Sequence, residues 1–463
     1  MFVGREKELK DLQTLYQEER FQMFVLYGRR RVGKTALLQE FCKDKETIFY
    51  SAEQSNRKIN LDKFSEQIFA YYGEENLQPF SSWEKAFLYI EEQQAGKRLM
   101  VVLDEFPYLV QQDAQIMSTL QHLIDHKLCH GRLFLVLCGS YMGFMEKEVL
   151  GSKSPLFGRR TAQLKLTPFD FFDARKLMEH YPPEEQMLFY GMFGGTAMYL
   201  NRLDEGKTLR ENVTDLFLKP TGYLYEEPLL LLRQEVQEPG IYYSVMEAVA
   251  QGAVRANEMA QKTGEEAAKC LKYIHVLNEL GMIYKEVPLG EKQTSRKTIY
   301  GISDFMFRFW FRYVSDNRTL LETGAQDVVW EKRVKPDLNH YMGLVFEKIC
   351  KEYLLRKNSR GELPLLFTKI GRWWGTDKKK HSQVEIDLVA QDRQSFLFGE
   401  CKWRNEKTDY SVLQTLREKA DIYAPEREQT CYFLFSKSGF TDAVEEAAKE
   451  TENLFLISME DLI

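Results

Sequence analysis

No stretch of this 463-residue chain is apolar for long enough to cross a bilayer. Runs such as Met23–Tyr27 and Leu133–Cys138 fall far short of the roughly 20 residues a spanning helix needs, so they read as buried strands and no membrane segment is expected. The first ten residues are charged from Arg5 onward and lack the apolar core of a signal peptide. The seven cysteines are scattered without a CxxC pair, which argues against a zinc site and a disulfide framework and favours a reducing, cytoplasmic setting. With a net charge of −6 the chain has no overall basic field, so any nucleic-acid affinity must come from local patches. Repeats and low-complexity tracts are missing as well. What is present is 44% apolar and 13% aromatic residues, enough to fill cores. The length exceeds one core, which stops growing near roughly 250 residues, so two to four domains are expected.

From Gln22 to about Leu166, short β-rich runs alternate with helical stretches: Met23–Leu26, Thr47–Tyr50, Met100–Leu103, Leu133–Leu137 and Ala162–Leu166. This predicts an α/β unit with a mostly parallel sheet and ligands at the carboxyl ends of its strands. Gly28-Arg29-Arg30-Arg31-Val32-Gly33-Lys34-Thr35 fits GxxxxGK[ST] between an apolar run and a periodic helix. Backbone N–H groups near Gly33 are expected to cradle the phosphates of ATP, with Lys34 on the β and γ oxygens and Thr35 on Mg²⁺. Val101–Glu105 is an apolar strand ending in two carboxylates, Asp104 for the metal and Glu105 as general base for the attacking water. Ser140, after the strand Leu133–Leu137, is either a sensor of the γ-phosphate or lytic water, or simply a strand-ending residue. Arg159, beside Arg160, is either an arginine finger for a neighbouring subunit's nucleotide or a salt-bridged surface residue.

These residues, together with Phe2-Val3-Gly4-Arg5-Glu6, Leu156-Phe157-Gly158-Arg159 and Gly194-Gly195-Thr196, resemble the archaeal-type ATPases of the signal-transduction branch of the AAA+ world. The resemblance implies an AAA+-like P-loop core over 1–166 and a helical lid over 167–237, with the opening segment by the adenine. Ala197 stands where that family has the proline that stiffens the lid corner.

Tyr242–Ser303 has winged-helix order, three helices and then two strands flanking Gly290, within an expected domain at 238–315 that ends in the aromatic bridge Phe305–Val314. Lys269, Lys272, Lys285, Lys292, Arg296 and Lys297 would make it a DNA-facing module, whereas its interleaved acids suit a spacer.

The last unit, 337–463, carries Val384–Ala390 and Ser395–Trp403, two strands about a turn at Asp392–Ser395. Either a two- or a four-residue loop pairs Asp387 with Glu400 and Glu385 with Lys402, which sets carboxylates roughly 5 Å apart at Cβ. Such a pair suits a shared Mg²⁺ or Mn²⁺, with Lys402 positioned to orient water or neutralise a scissile phosphate. Lys348–Lys380 adds ten basic residues against three acidic ones, while Trp373 and Trp374 suit either base stacking or a core edge.

Asp387, Glu400-Cys401-Lys402, the helix Gly343–Glu347 and Gly371–Trp374 resemble the PD-(D/E)XK nuclease fold, a restriction-endonuclease-like α/β domain. That resemblance implies Glu347 as a further metal ligand. The expected protein is an ATPase whose nucleotide state controls a metal-dependent nuclease acting on DNA. Its alternative is a nucleotide-driven switch that forms homo-oligomers and binds nucleic acid or a partner without cutting.

Overall fold

The computed structural model describes residues 2–75 and 77–463; Met1, where the expected ATPase core begins, lies outside them. The chain divides into two compact units, Met1–Pro168 with Thr196–Met198, and Phe169–Gly195 with Tyr199–Ile463.

The first unit is built on five parallel strands: β1 (Gln22–Tyr27), β2 (Thr47–Ser51), β3 (Met100–Asp104), β4 (Phe134–Gly139) and β5 (Ala162–Lys165), in the order β2-β3-β4-β1-β5. The expected strands lie within two residues of these. β1, β3 and β4 are buried along their whole length because helices cover both faces. Met23, Val25, Val101, Leu103, Leu135 and Leu137 enter one core, while Phe24, Leu26, Met100, Val102, Phe134 and Val136 enter the other. Parallel pairing aligns the strand ends, Tyr27 opposite Gly139 and Leu103 opposite Leu137, so the loops after β1, β3 and β4 meet at one edge. β4 lies between the other two, which puts Ser140 between the P-loop and Glu105.

The second unit opens with helices, among them Pro183–Phe193. A winged-helix arrangement follows: helices Pro239–Ala250, Ala256–Thr263 and Ala267–Glu279, then an antiparallel ribbon of β6 (Ile283–Glu286) and β7 (Ile299–Ile302). The aromatic bridge is helical and buried, and Trp310 Nε1–H donates to the Tyr225 carbonyl at 2.6 Å. Next comes the 25-residue helix Lys335–Ser359, referred to below as the long helix. The final sheet has the order β12-β11-β10-β9-β8, from β8 (Lys369–Asp377), β9 (Ser382–Asp392), β10 (Ser395–Lys402), β11 (Gln429–Ser436) and β12 (Leu454–Ser458). β8, β9 and β10 are antiparallel, whereas β10, β11 and β12 run parallel, joined through helices Tyr410–Tyr423 and Asp442–Glu450. Among the described residues no helix is long and apolar enough to cross a membrane.

Candidate functional site

At the strand edge of the first unit, Gly28 approaches the backbone so closely that a Cβ there would lie 2.3 Å from the Leu166 carbonyl oxygen. Gly33 caps the helix Lys34–Cys42 at φ 95°, a left-handed conformation that glycine adopts without strain, and nothing lies within 4 Å above it. This leaves a helix N-terminus open to an anion. Lys34, only 5% exposed, donates to the carbonyls of Gly28 at 2.9 Å and Arg29 at 3.0 Å, so its ammonium is folded over the loop. Thr35 Oγ1 donates to Asp104 Oδ2 at 2.8 Å, bringing together the two oxygen donors expected at Mg²⁺. Glu105 sits at φ 52°, a left-handed backbone uncommon for a non-glycine residue. Its carboxylate accepts the Ser140 hydroxyl at 2.6 Å and the Ser140 N–H at 3.4 Å. In this conformation Ser140 holds the expected base, which differs from the phosphate or water contact anticipated for it.

Arg159 adopts the salt-bridged alternative. Its guanidinium donates to both oxygens of Asp125, at 2.8 and 2.7 Å, which raises the arginine's pKa and lowers the carboxylate's. A role in trans would first require breaking that pair. Arg5, absent from the expected site, is 7% exposed and donates to the carbonyls of Val32 at 3.3 Å and Thr167 at 2.6 Å, tying the opening segment to the P-loop.

In the second unit the β9–β10 ladder keeps the expected register as far as Leu388–Gly399 and stops before Asp387 and Glu400. On the other side of β9 the pairing shifts between Gly371–Val389 and Trp373–Ile386, so Leu388 and Asp387 together oppose Arg372. Such a bulge bends the strand and re-aims its side chains. Asp387 Oδ2 accepts the Cys401 N–H at 2.9 Å. Its carboxyl is pushed up to about 6, first by desolvation and then by the charge of Glu400. Glu347, on the long helix, is pushed up to about 8 by desolvation and then by Asp387. Glu400 thus raises Asp387 and Asp387 raises Glu347, a row of carboxylates whose repulsion a divalent cation would relieve.

The expected cluster of three metal ligands, Glu347, Asp387 and Glu400, needs correction in its geometry. Among the described residues no three His, Cys, Asp or Glu side chains converge well enough to hold an ion. The reason is that Glu400 is occupied: Lys402 Nζ donates to it at 2.7 Å and Lys419 Nζ reaches both of its oxygens at 3.0 Å. Glu347 instead lies 3.8 Å from Arg372, which also pairs with Glu385. The expected partnership of Glu385 with Lys402 is therefore replaced. The basic run is also divided, since Arg356 binds Asp170 and Asp173, Lys357 binds Glu362, and Lys380 binds Glu418. Trp373 takes the core-edge role, edge-on to Tyr423 with ring centres 5.2 Å apart. In the winged helix, Lys269 and Lys297 are spent on Glu265 and Glu291.

Residues 2–203 match an ATPase domain predominantly from Archaea, and residues 310–413 match archaeal and bacterial proteins of unknown function. The uncharacterised protein MJECL04 of Methanocaldococcus jannaschii is 30% identical over 471 residues that cover all of both chains. The chain belongs to this archaeal-type ATPase family. The uncharacterised ATP-binding protein MJ0423 of the same organism is 46% identical over 46 residues, 10% of this chain and 78% of its own. In fold, the Walker-type ATPase PABY2304 of Pyrococcus abyssi aligns with 67% of this chain and 96% of its own, at TM-score 0.52 and 18% identity.

Sequence reasoning about the second site missed Lys419, which holds Glu400, and Glu286, which lines one pocket with Glu347 and Asp387. Lys419 follows β10 by a loop and half a helix, and Glu286 belongs to a different module, so no local spacing links either to Asp387. The same reasoning missed Glu352, one turn beyond Glu347 on the long helix. Its carboxylate accepts the Phe171 N–H at 2.9 Å and the Tyr190 hydroxyl at 3.1 Å, and desolvation pushes it up to about 7. A carboxyl raised on folding binds its proton more tightly in the native state, so its contribution is present below about pH 4.5 and is lost as pH rises through 7. The loss is on the order of 2–3 kcal/mol. Glu352→Gln should therefore flatten the fall in unfolding midpoint between pH 5 and pH 8, as read by thermal denaturation. Parallel curves for the two proteins would contradict this.

Proposed function

We propose that ATP binding and hydrolysis in the first unit control a metal-dependent nuclease site at Asp387, Glu347, Glu400 and Lys402, which acts on DNA phosphodiester bonds. The observation that carries this reading is the pair of desolvated carboxylates, Glu347 raised by Asp387 and Asp387 raised by Glu400, beside the Glu400–Lys402 pair at the end of β10. A bound Mg²⁺ or Mn²⁺ would polarise the phosphate and a water molecule there. Lys402, held at Glu400, supplies a fixed positive charge for the scissile group.

Support for control comes from the long helix. It carries Glu347 and, about one and a half and two and a half turns later, Glu352 and Arg356, which grip the helical segments expected to form the lid: Phe171 and Tyr190 through Glu352, Asp170 and Asp173 through Arg356. A displacement of those segments would be transmitted to Glu347 along a rigid rod. The test is cleavage of labelled linear DNA with Mn²⁺ in the presence of ATP, ADP or neither, with Lys34→Ala as the nucleotide-blind control. Wild type should cut at a rate that depends on nucleotide, and Lys34→Ala at one rate throughout. Equal rates in all wild-type arms would defeat control, and no cutting in any arm would defeat the nuclease.

The second reading, a switch whose terminal domain binds without cutting, is favoured by one observation. Both oxygens of Glu400 are held by lysines. Under that reading DNA is retained uncut, and particle mass changes with ATP in wild type but not in Lys34→Ala.

A further inference from the structure

The carboxylate site lies in a half-open cleft with the wing along one side. The turn after β6 is seated on the terminal sheet: Leu289 N–H donates to the Arg372 carbonyl at 2.9 Å, and the Leu289 side chain packs against the terminal core. The wing thereby forms one wall of a half-open pocket of about 430 Å³, lined by Tyr284 and Glu286 from β6, by Glu347, Lys348 and Lys351 from the long helix, and by Arg372 and Asp387. Its lining is divided in character. Leu344, Leu355 and Phe305 are apolar lining, and the Lys348 ammonium lies over the Phe305 ring at 4.6 Å from its centre. Among the described residues neither Lys348 nor Lys351 is in a salt bridge, unlike Arg356 and Lys357 on the same helix.

We propose that this pocket takes one unpaired DNA strand, with a phosphate at Arg372, Lys348 and Lys351 and a base against Tyr284 and the apolar wall, and that the seated wing excludes duplex. The proposal rests on the nuclease reading, because Asp387 and Glu347 line the same pocket. Three physical facts support it. Two ammonium groups outside any salt bridge among the described residues, with a guanidinium shared between Glu347 and Glu385 and an apolar surface close by, suit a ligand that is anionic at one end and flat at the other. The volume falls in the range that encloses a drug-sized molecule, which is the scale of a nucleotide. A duplex, whose major groove alone is about 12 Å wide, would have to displace the wing.

The wing can be locked in place. A Cβ on Gly371 would lie 3.9 Å from Leu289 Cβ, within the 3.5–4.5 Å typical of disulfides, so Leu289→Cys with Gly371→Cys should close a bridge on oxidation. The full-length double variant, oxidised and reduced, is compared with wild type under the same conditions for binding a labelled single-stranded oligonucleotide and its blunt duplex. Ca²⁺ is used for binding and Mn²⁺ for cutting. Wild type and both redox forms should bind single strand at least about tenfold more tightly than duplex, with oxidation leaving single-strand affinity unchanged. Lys351→Glu, an independent variant that leaves the wing untouched, should weaken single-strand binding about tenfold. Equal affinity of the locked form for duplex, or loss of single-strand binding on locking, overturns the proposal. Single-strand binding that Lys351→Glu weakens, without cutting in Mn²⁺, supports the pocket assignment while removing the nuclease reading.

Discussion

Glu105→Gln is expected to lower ATP turnover by about 10²–10⁴-fold, the usual contribution of a positioned general base, while nucleotide affinity stays at the wild-type level. The two effects separate because glutamine keeps the length of the side chain and can still accept the Ser140 hydroxyl, now 2.6 Å from the carboxylate, but cannot take a proton from water. The left-handed backbone at Glu105 is equally accessible to glutamine, so the turn after β3 is not disturbed. Lys34→Ala gives the opposite split, with binding lost first, because this ammonium is the charge folded over the phosphate loop. Ser140→Ala should cost only about five- to tenfold, the worth of one hydrogen bond that orients the base. Phosphate release and titration with a fluorescent nucleotide measure both quantities. A Glu105→Gln enzyme within about threefold of wild type would remove Glu105 from the chemistry.

The second large effect is expected at Asp387. Asp387→Asn should reduce Mn²⁺-dependent cleavage by at least about 10²–10³-fold, the several kcal/mol that a metal-held phosphate contributes. Asparagine is the informative substitution, since its oxygen can still accept the Cys401 N–H while the charge is gone. The same change removes a carboxylate that desolvation and Glu400 hold up at about 6 and that raises Glu347, so the variant should be at least as stable as wild type in metal-free buffer. Loss of cutting together with an unchanged or higher unfolding midpoint is the signature of a functional carboxylate. Loss of both would mark a structural one. Cutting at the wild-type rate would place the nuclease elsewhere or nowhere.

The ATPase site was legible because its parts are local. Gly28 to Thr35 must follow a strand and open a helix to form a phosphate cradle, and both neighbours are readable as apolar periodicity. Asp104 and Glu105 end a strand whose five buried residues are themselves a signal. The β9–β10 hairpin was legible for the same reason, because side-chain alternation and a short turn dictate register. What the sequence could not carry is the state of each side chain once distant segments meet. Arg159 could have been free or paired, and Asp125, 34 positions earlier, decided it.

By itself, then, the sequence determined the strand and helix that flank Gly28 to Thr35, the strand that ends at Asp104 and the register of the β9–β10 hairpin, since each follows from spacing within one or two elements. Only the tertiary structure decided how the carboxylates of the second site are used. A one-residue bulge lies at Asp387, whose carboxylate accepts the Cys401 N–H, and a helix that follows β10 delivered Lys419 to Glu400. The wing ribbon then formed one wall of the pocket that Glu347 lines. Each of these is a long-range contact between charges or strands, and its energy depends on where the backbone has already gone, not on which residues are neighbours in the chain.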